Sequence, residues 1–404
     1  MNCMSKCSEI FEDPIYLTQR SIIDQIQKMY DNGVYFCEYK RIFLNDKWYL
    51  IVDDFEHKRV YGPDYNFVFN KIDGSFYRWG VDHNDDPNFS PIGPEILDIE
   101  ISQNGCPPVG NGGVCKFCYK GNTSAEPINM SFEDFKTILD KMPPTLTQIA
   151  FGITGIQTNP DFMKMIKYTR EKDIIPNFTL SGADLTDDIA SEVCKYIGAV
   201  AVSAYSADKN VCYNTVRKFI DLGINQTNIH IMVSDQTIDF VYEVLNDRMN
   251  DPRLSKMNAI VFLGVKPKGR AKGKFNSLSS TEYEKLIKFC LDKKINFGFD
   301  SCSFHKYRSA VEYMKNENSE LYTKMIECAE PCESSVMSSY INCLGEYWHC
   351  SFTENEEGYK SLNVLTCDNF LNDIWYSPEV IKFRSKLLDN SNERKCHVHP
   401  SINN

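Results

Sequence analysis

From Ile96 to Ser301 the chain keeps repeating one pattern. Short runs rich in β-branched and aromatic residues recur as Ile96–Ile101 (ILDIEI), Gln148–Thr154 (QIAFGIT), Ile175–Ser181 (IPNFTLS) and Ala199–Tyr205 (AVAVSAY). Ile229–Asp235 (IHIMVSD), Asn258–Val265 (NAIVFLGV) and Ile295–Ser301 (INFGFDS) continue the series. Between them lie stretches of helical period, several with start signals. Ser131 stands three residues before Asp134, Asn159–Pro160 opens "NPDFMKMIKYTREK", and "SSTEYEKLIKFCLDKK" closes the set. Strands alternating with helices at this spacing predict parallel β/α units, and nearly continuous apolar strands fit a sheet covered on both faces. Six complete units and a closing strand are too few for an eight-fold barrel. The expectation is an α/β chain with a partial (β/α)6 barrel over residues 95–300, flanked by separate domains at 1–94 and 301–404.

Composition narrows the function classes. The chain has 404 residues, 42% of them hydrophobic and 25% charged, which is ordinary globular material. A net charge of −11 argues against a broad nucleic-acid face, which needs a basic stripe. No apolar run approaches the length that crosses a bilayer, and the N-terminal "MNCMSKCSEIFEDP" has no apolar segment of a secretion signal. These features lead us to expect a cytoplasmic protein without a membrane partner. In that reducing setting 16 cysteines point to metal or catalysis rather than disulfides.

The cysteines fall into two groups. Cys106, Cys115 and Cys118 lie in "NGCPPVGNGGVCKFCYKG", directly after the first strand. Cys302, Cys328, Cys332, Cys343, Cys350, Cys367 and Cys396 lie in the C-terminal quarter; Cys3, Cys7, Cys37, Cys194, Cys212 and Cys290 are scattered. Cys194 and Cys290 sit in helical patterns and read as small core residues. In a parallel barrel, reactive groups come from loops leaving the C-terminal ends of strands, so the first three thiols belong at the mouth. Three thiolates there can hold a 4Fe–4S cube with one iron left open, or, with a fourth ligand, a zinc ion.

With those residues in place, the chain resembles the radical SAM superfamily. The family's first cysteine gap is three residues and here it is eight, "PPVGNGGV", while "CKFC" keeps the second gap and the aromatic before the last cysteine. The resemblance implies a 4Fe–4S cluster on Cys106, Cys115 and Cys118, with S-adenosylmethionine chelating the open iron through its amino and carboxylate groups. It implies reductive cleavage to a 5′-deoxyadenosyl radical that abstracts hydrogen from a substrate. It also implies an electron donor such as flavodoxin or ferredoxin. Where the family has Gly-Gly-Glu after the second strand, this chain has Gly152-Ile153-Thr154-Gly155. The carboxylate is missing, so carbonyls or the Thr154 hydroxyl must receive the methionine amino group. Ser181, in "TLSG", and Ser203, in "VAVSAYS", match polar strand-end residues of the cofactor site, and Phe117 matches the aromatic near adenine.

The C-terminal region resembles the SPASM or twitch extension of the same family. "VKPKGRAKG", Val265–Gly273, is similar to a Pro-x-Gly-Arg turn found in members that carry one. "CESSVMSSYINCLGEYWHC" places Cys332 and Cys350 on the two arms of a hairpin with Gly345 at its turn, and "KCHVHP" follows with Cys396 and His399. Too few cysteines follow Cys350 for two clusters. One auxiliary 4Fe–4S cluster is therefore expected on Cys332, Cys350 and Cys396, with Cys302 as the fourth ligand and Cys328 or His399 as alternatives; zinc or free thiols are the other readings. Residues 1–94 read as one helix ending at Gly33, then β-hairpins with Asn-Asp and Asp-Gly turns. The subclass resemblance implies a peptide or protein substrate. Dehydrogenation or rearrangement of a small metabolite is the alternative within the class, and a metal-stabilised binding module is the alternative outside it.

Overall fold

The computed structural model describes residues 19–33, 37–82, 84–110, 113–388 and 394–403. Cys3, Cys7 and Gly112 of the motifs above lie outside them. The chain separates into two compact units, residues up to Glu95 with Pro143–Thr147, and Ile96–Met142 with the remainder.

In the first unit, helix α1 (Gln19–Asp31) precedes an antiparallel meander of β1 (Cys37–Leu44), β2 (Lys47–Asp54), β3 (His57–Tyr61), β4 (Asn66–Asn70) and β5 (Phe76–Trp79). Asn45 and Asp46 both take positive φ, 48° and 60°, at the two-residue turn between β1 and β2, the geometry that suits right-twisted strands. Ile22 and Ile26 of α1 pack on Leu50 and Val52 of β2, which makes one small core. Tyr65 is fully buried and its hydroxyl donates to the Glu95 carboxylate, which also pairs with Arg78 at 3.3 Å.

The second unit is built on one ten-stranded sheet. Its parallel part runs β6 (Ile96–Glu100), β9 (Gln148–Gly152), β10 (Ile175–Leu180), β11 (Ala199–Ser203), β12 (Gln226–Val233), β13 (Ile260–Gly264) and β14 (Phe297–Phe299). A short ribbon, β7 (Ser102–Gln103) with β8 (Ile128–Asn129), flanks the first cysteine loop. Helices α2 (Phe132–Lys141), α3 (Phe162–Glu171), α4 (Asp187–Val193), α5 (Lys209–Asp221), α6 (Ile238–Asn250) and α7 (Ser280–Asp292) follow successive strands. Ser131 caps α2 as expected, accepting from Asp134 N–H at 3.1 Å. Helix α3 starts later than the Asn159–Pro160 signal, because the Asn159 amide donates instead to the carbonyls of Ile101 and Met130. Cys290 is buried in α7, whereas Cys194 is only half-buried at the end of α4.

Strand alternation divides the side chains into two sets. Leu97, Ile99, Ile149, Phe151, Phe178 and Phe262 turn toward the helices and are buried. Phe135, Phe151, Phe162, Phe178 and Phe219 form a continuous run of ring contacts at 5.4–6.3 Å between sheet and helices. Each such pair is worth about 0.5–1.5 kcal/mol beyond its buried area. The opposite set is small or polar at Asp98, Glu100, Ala150, Gly152, Thr179 and His230, and apolar at Val261, Met232 and Leu263. Full eight-strand barrels fill their interior with bulky branched residues; here that face is mixed.

The C-terminal region adds a feature that the sequence pattern did not announce. Strand β15 (Ser338–Ile341) joins the free edge of β6 in parallel, with Tyr340 in register with Asp98. It then turns through Gly345 (φ +74°) into antiparallel β16 (Glu346–Trp348), followed by β17 (Leu362–Asn363). The expected hairpin is thus built into the barrel sheet. Helices α8 (Phe304–Val311), α9 (Met314–Glu317) and α10 (Ser319–Glu327) precede it, and α11 (Pro378–Leu388) follows. Buried Arg384 of α11 donates to the carbonyls of Ser335 (2.7 Å) and Trp375 (3.0 Å), holding that helix to the hairpin. Among the described residues no helix is long and apolar enough to cross a membrane.

Candidate functional site

The loop after β6 is pinned at both ends. Cys106 N–H donates to Thr123 O at 3.0 Å, and Ser124 Oγ donates to Cys106 O at 3.1 Å. At the far end the Val265–Gly273 loop closes over Cys115 and Cys118. Arg270 donates its backbone N–H to Cys118 O (3.0 Å) and its Nε–H to Cys115 O (2.8 Å). Gly269, at φ +58°, lies so close that a Cβ there would sit 2.3 Å from Tyr119 O. Lys268 reaches the other way, donating to Phe352 O at 3.2 Å and pairing with Glu356 at 2.9 Å. The basic loop is therefore a clamp between the first cysteine loop and the C-terminal extension.

The three thiols of this loop act on one another. Burial first, then Cys118 and Cys115, push Cys106 up to about 11. Burial also raises Cys115, against a hydrogen bond from Tyr205. Tyr205 bonds Ser203 as well, so Ser203 reaches the cysteine loop through a tyrosine that the motif reading did not single out. Phe117 stacks on Tyr205 at 6.0 Å and packs with Met232, Val265 and Ala271, an apolar pocket at the mouth. Lys120, two residues past Cys118, is buried between the carboxylates of Glu100 (3.1 Å) and Glu354 and donates to Tyr340 Oη at 2.9 Å. Burial raises both acids; for Glu354 the Lys120 charge outweighs it and holds the carboxyl low, while Glu100 stays raised.

The turn after β9 lies against this loop. At Gly152 a Cβ would come 3.2 Å from Glu100 Cα, and at Gly155 one would come 2.9 Å from Pro107 Cδ. Thr154 Oγ1 is buried and has no hydrogen-bond partner among the described residues. Ser181 is used locally, accepting from Ala183 N–H at 3.3 Å. Deeper in the lumen, His230 meets Thr179 Oγ1 at 3.4 Å and burial pushes it down to about 4, so the ring is neutral near pH 7. Asp98 has no described hydrogen bond or ion pair. Its side chain is open to solvent, yet the protein packed around it, then Glu333, pushes it up to about 7.

The second cysteine group converges from three segments. Cys302, just past β14, lies within electrostatic reach of Cys332 and Cys350, and both of those lie within reach of Cys396. Burial, then Cys332, push Cys350 up to about 12. Backbone N–H groups are already turned to these sulfurs: Ser334 to Cys332, Phe352 and Thr353 to Cys350, and His399 to Cys396 at 3.4 Å. Cys328 is exposed, Cys343 faces Glu100 and Lys120, and Cys367 lies near Lys141. His399 turns its backbone N–H to Cys396, and its ring, beside Phe352, has a buried Nε2 with no hydrogen-bond partner among the described residues.

Both sets fit iron–sulfur clusters. Thiols that raise one another are relieved by a cationic centre, and N–H donors aimed at sulfur support thiolates. A tetrahedral zinc with bonds of about 2.3 Å holds its sulfurs about 3.8 Å apart. Among the described residues no three Cys, His, Asp or Glu side chains converge tightly enough to hold a single ion.

No protein-family model matches the chain, and no curated protein sequence matches it. Solved structures do. SuiB of Streptococcus suis bound to its precursor peptide SuiA aligns at TM-score 0.59 with 13% identity, over 82% of this chain and 92% of that one. SuiB bound to S-adenosylmethionine gives 0.55 and 16%, over 77% and 76%. Native anSMEcpe with bound AdoMet and the Cp18Cys peptide gives 0.54 and 14%, over 77% and 88%. At these identities the likeness concerns the fold, which is the partial barrel of radical SAM enzymes.

Proposed function

We propose that this chain is a radical SAM enzyme that modifies a peptide or protein. The observation that carries the reading is the set of three thiols on the loop leaving the first parallel strand, where Cys118 raises both Cys106 and Cys115, packed on a turn whose buried Thr154 hydroxyl has no hydrogen-bond partner among the described residues. Cys106, Cys115 and Cys118 would hold a 4Fe–4S cluster; Gly152, Thr154, Gly155, Ser203 and Phe117 would line the S-adenosylmethionine site, with Ser181 nearby. When bound, these groups supply a 5′-deoxyadenosyl radical that abstracts hydrogen from the substrate.

The chain's own residues do the rest. Lys120 neutralises the buried carboxylates behind the loop, and the Gly269–Arg270 turn holds the loop's carbonyls in place. Asp98 and His230, on the inner face of the sheet, would be polar contacts for a substrate side chain. Segment 301–404 acts as an auxiliary-cluster extension, with Cys302, Cys332, Cys350 and Cys396 as ligands. Full ligation by the protein gives that cluster an electron-transfer or bracing role. The peptide substrate is supported by the neighbours, since SuiB and anSMEcpe were both solved with peptides bound. Flavodoxin or ferredoxin would deliver the electron.

Replacing Cys106, Cys115 and Cys118 together by Ala should remove about four irons per chain and abolish 5′-deoxyadenosine formation under anaerobic reduction. Unchanged cofactor cleavage in that variant would end the reading. Zinc in the wild type with no cleavage would favour a binding module.

A further inference from the structure

The turn after β9 carries no carboxylate, yet one is docked on it from elsewhere. We infer that Asp184, on the loop after β10, is the residue that receives the N–H groups of the S-adenosylmethionine amino nitrogen, together with the Thr154 hydroxyl. This deepens the function proposed above and rests on it.

The packing brings Asp184 to the site. A Cβ on Gly155 would lie 2.6 Å from Asp184 Oδ2, 2.8 Å from Thr158 Oγ1 and 2.9 Å from Pro107 Cδ. The turn is therefore wedged between the carboxylate on one side and the cysteine loop on the other, one residue from Cys106. Asp184 is fixed there through Gln157. Its Oδ2 accepts the Gln157 backbone N–H at 3.0 Å, and its own carbonyl accepts the Gln157 side chain at 2.5 Å. That leaves Asp184 Oδ1, which is buried and has no hydrogen-bond partner among the described residues. Thr154 Oγ1, one residue before Gly155, is in the same state.

Two orphaned acceptors beside one small-residue turn are unusual, because buried oxygens are nearly always paired. One belongs to a carboxylate, so the missing donor should offer N–H groups next to positive charge. A water molecule would satisfy the hydrogen bonds and leave the charge. Within S-adenosylmethionine the match is specific. The sulfonium has no hydrogen to donate, the carboxylate would be repelled, and the adenine amino group is neutral. The amino nitrogen, held on the open iron, would offer two N–H donors polarised by the metal's positive charge. The carboxylate that sequence order withholds from the β9 turn thus arrives from the next strand's loop.

The test is a binding cycle on the reconstituted, unreduced holoenzyme, by equilibrium dialysis. Wild type and Asp184→Asn are each titrated with S-adenosylmethionine and with its desamino analogue, in which hydrogen replaces the amino group. The Asn variant retains an oxygen for Gln157, and thermal melting verifies its fold. Asp184→Asn should weaken S-adenosylmethionine by about 10- to 100-fold, the range for a hydrogen bond to a charged group. It should change the desamino analogue by less than about twofold. Thr154→Val should show the same selectivity with a smaller loss. Affinity for S-adenosylmethionine unchanged in Asp184→Asn, or both ligands weakened equally, would assign Asp184 to the Gln157 turn alone and overturn the inference. A wild-type holoenzyme that fails to bind S-adenosylmethionine at all would overturn the proposed function, and this inference with it.

Discussion

Gly269 offers the sharpest test of how the cysteine loop is held. In Gly269→Ala two costs add. At φ +58° an L-residue pays roughly 1–2 kcal/mol of backbone strain. The new methyl would also lie 2.3 Å from Tyr119 O and 2.5 Å from Cys118 O, both backbone atoms that cannot rotate aside. Relieving this contact needs a shift of about 1 Å, and overpacking of that kind costs about 1–3 kcal/mol. The same shift pulls on the two hydrogen bonds from Arg270 to the carbonyls of Cys118 and Cys115. The sum is about 2–5 kcal/mol, or roughly 4–10 °C of melting temperature for a unit of this size. Gly273→Ala is the matched control. Its φ is +69° but nothing lies within 4 Å of the added Cβ, so only the strain remains, about 1–2 kcal/mol. The assay pairs thermal melting with iron content per chain. Gly269→Ala should melt lower than Gly273→Ala and lose iron, because the displaced atoms are those of Cys118 and Tyr119. Equal melting points and equal iron in the two variants would refute the clamp.

Three further outcomes follow from the same geometry. Asp98 has its folded carboxyl raised from 3.8 to about 7, so ionising it disfavours the folded state; urea unfolding should show Asp98→Asn gaining stability on wild type as pH rises from 4 to 7, and parallel pH profiles would remove the claim of an uncompensated carboxyl there. Cys302→Ala should lower iron and loosen the extension, while Cys328→Ala should leave both unchanged; the reverse pattern in iron analysis would reassign the fourth ligand. Lys120→Met strands two buried carboxylates and should cost about 3–5 kcal/mol by chemical denaturation. A loss under about 1 kcal/mol, typical of an exposed pair, would place that network in solvent.

Much of the fold was legible in order along the chain. Strand and helix periods reflect local geometry, so the seven parallel strands, the capping Ser131 and the Asn45–Asp46 turn follow from neighbouring residues alone. The loop bearing Cys106, Cys115 and Cys118 was equally visible, because the C-terminal end of a strand is defined by chain direction. What sequence could not supply were contacts between distant segments. Nothing local says that Ser338–Ile341 would extend the sheet beside β6, since edge pairing is settled by which strand meets a free row of backbone groups. That Cys302 comes within electrostatic reach of Cys332 and Cys350 depends on where a loop after β14 meets a hairpin some thirty residues later. The absence of Glu from Gly152–Gly155 was plain in the sequence. The carboxylate docked there comes from Asp184, about thirty residues on and one strand across, and only tertiary packing brings it to Gly155. Local order determines the period of a helix or a strand. Which charge answers which is decided by the closing of the sheet, which sets side chains remote in sequence within a few ångströms of each other.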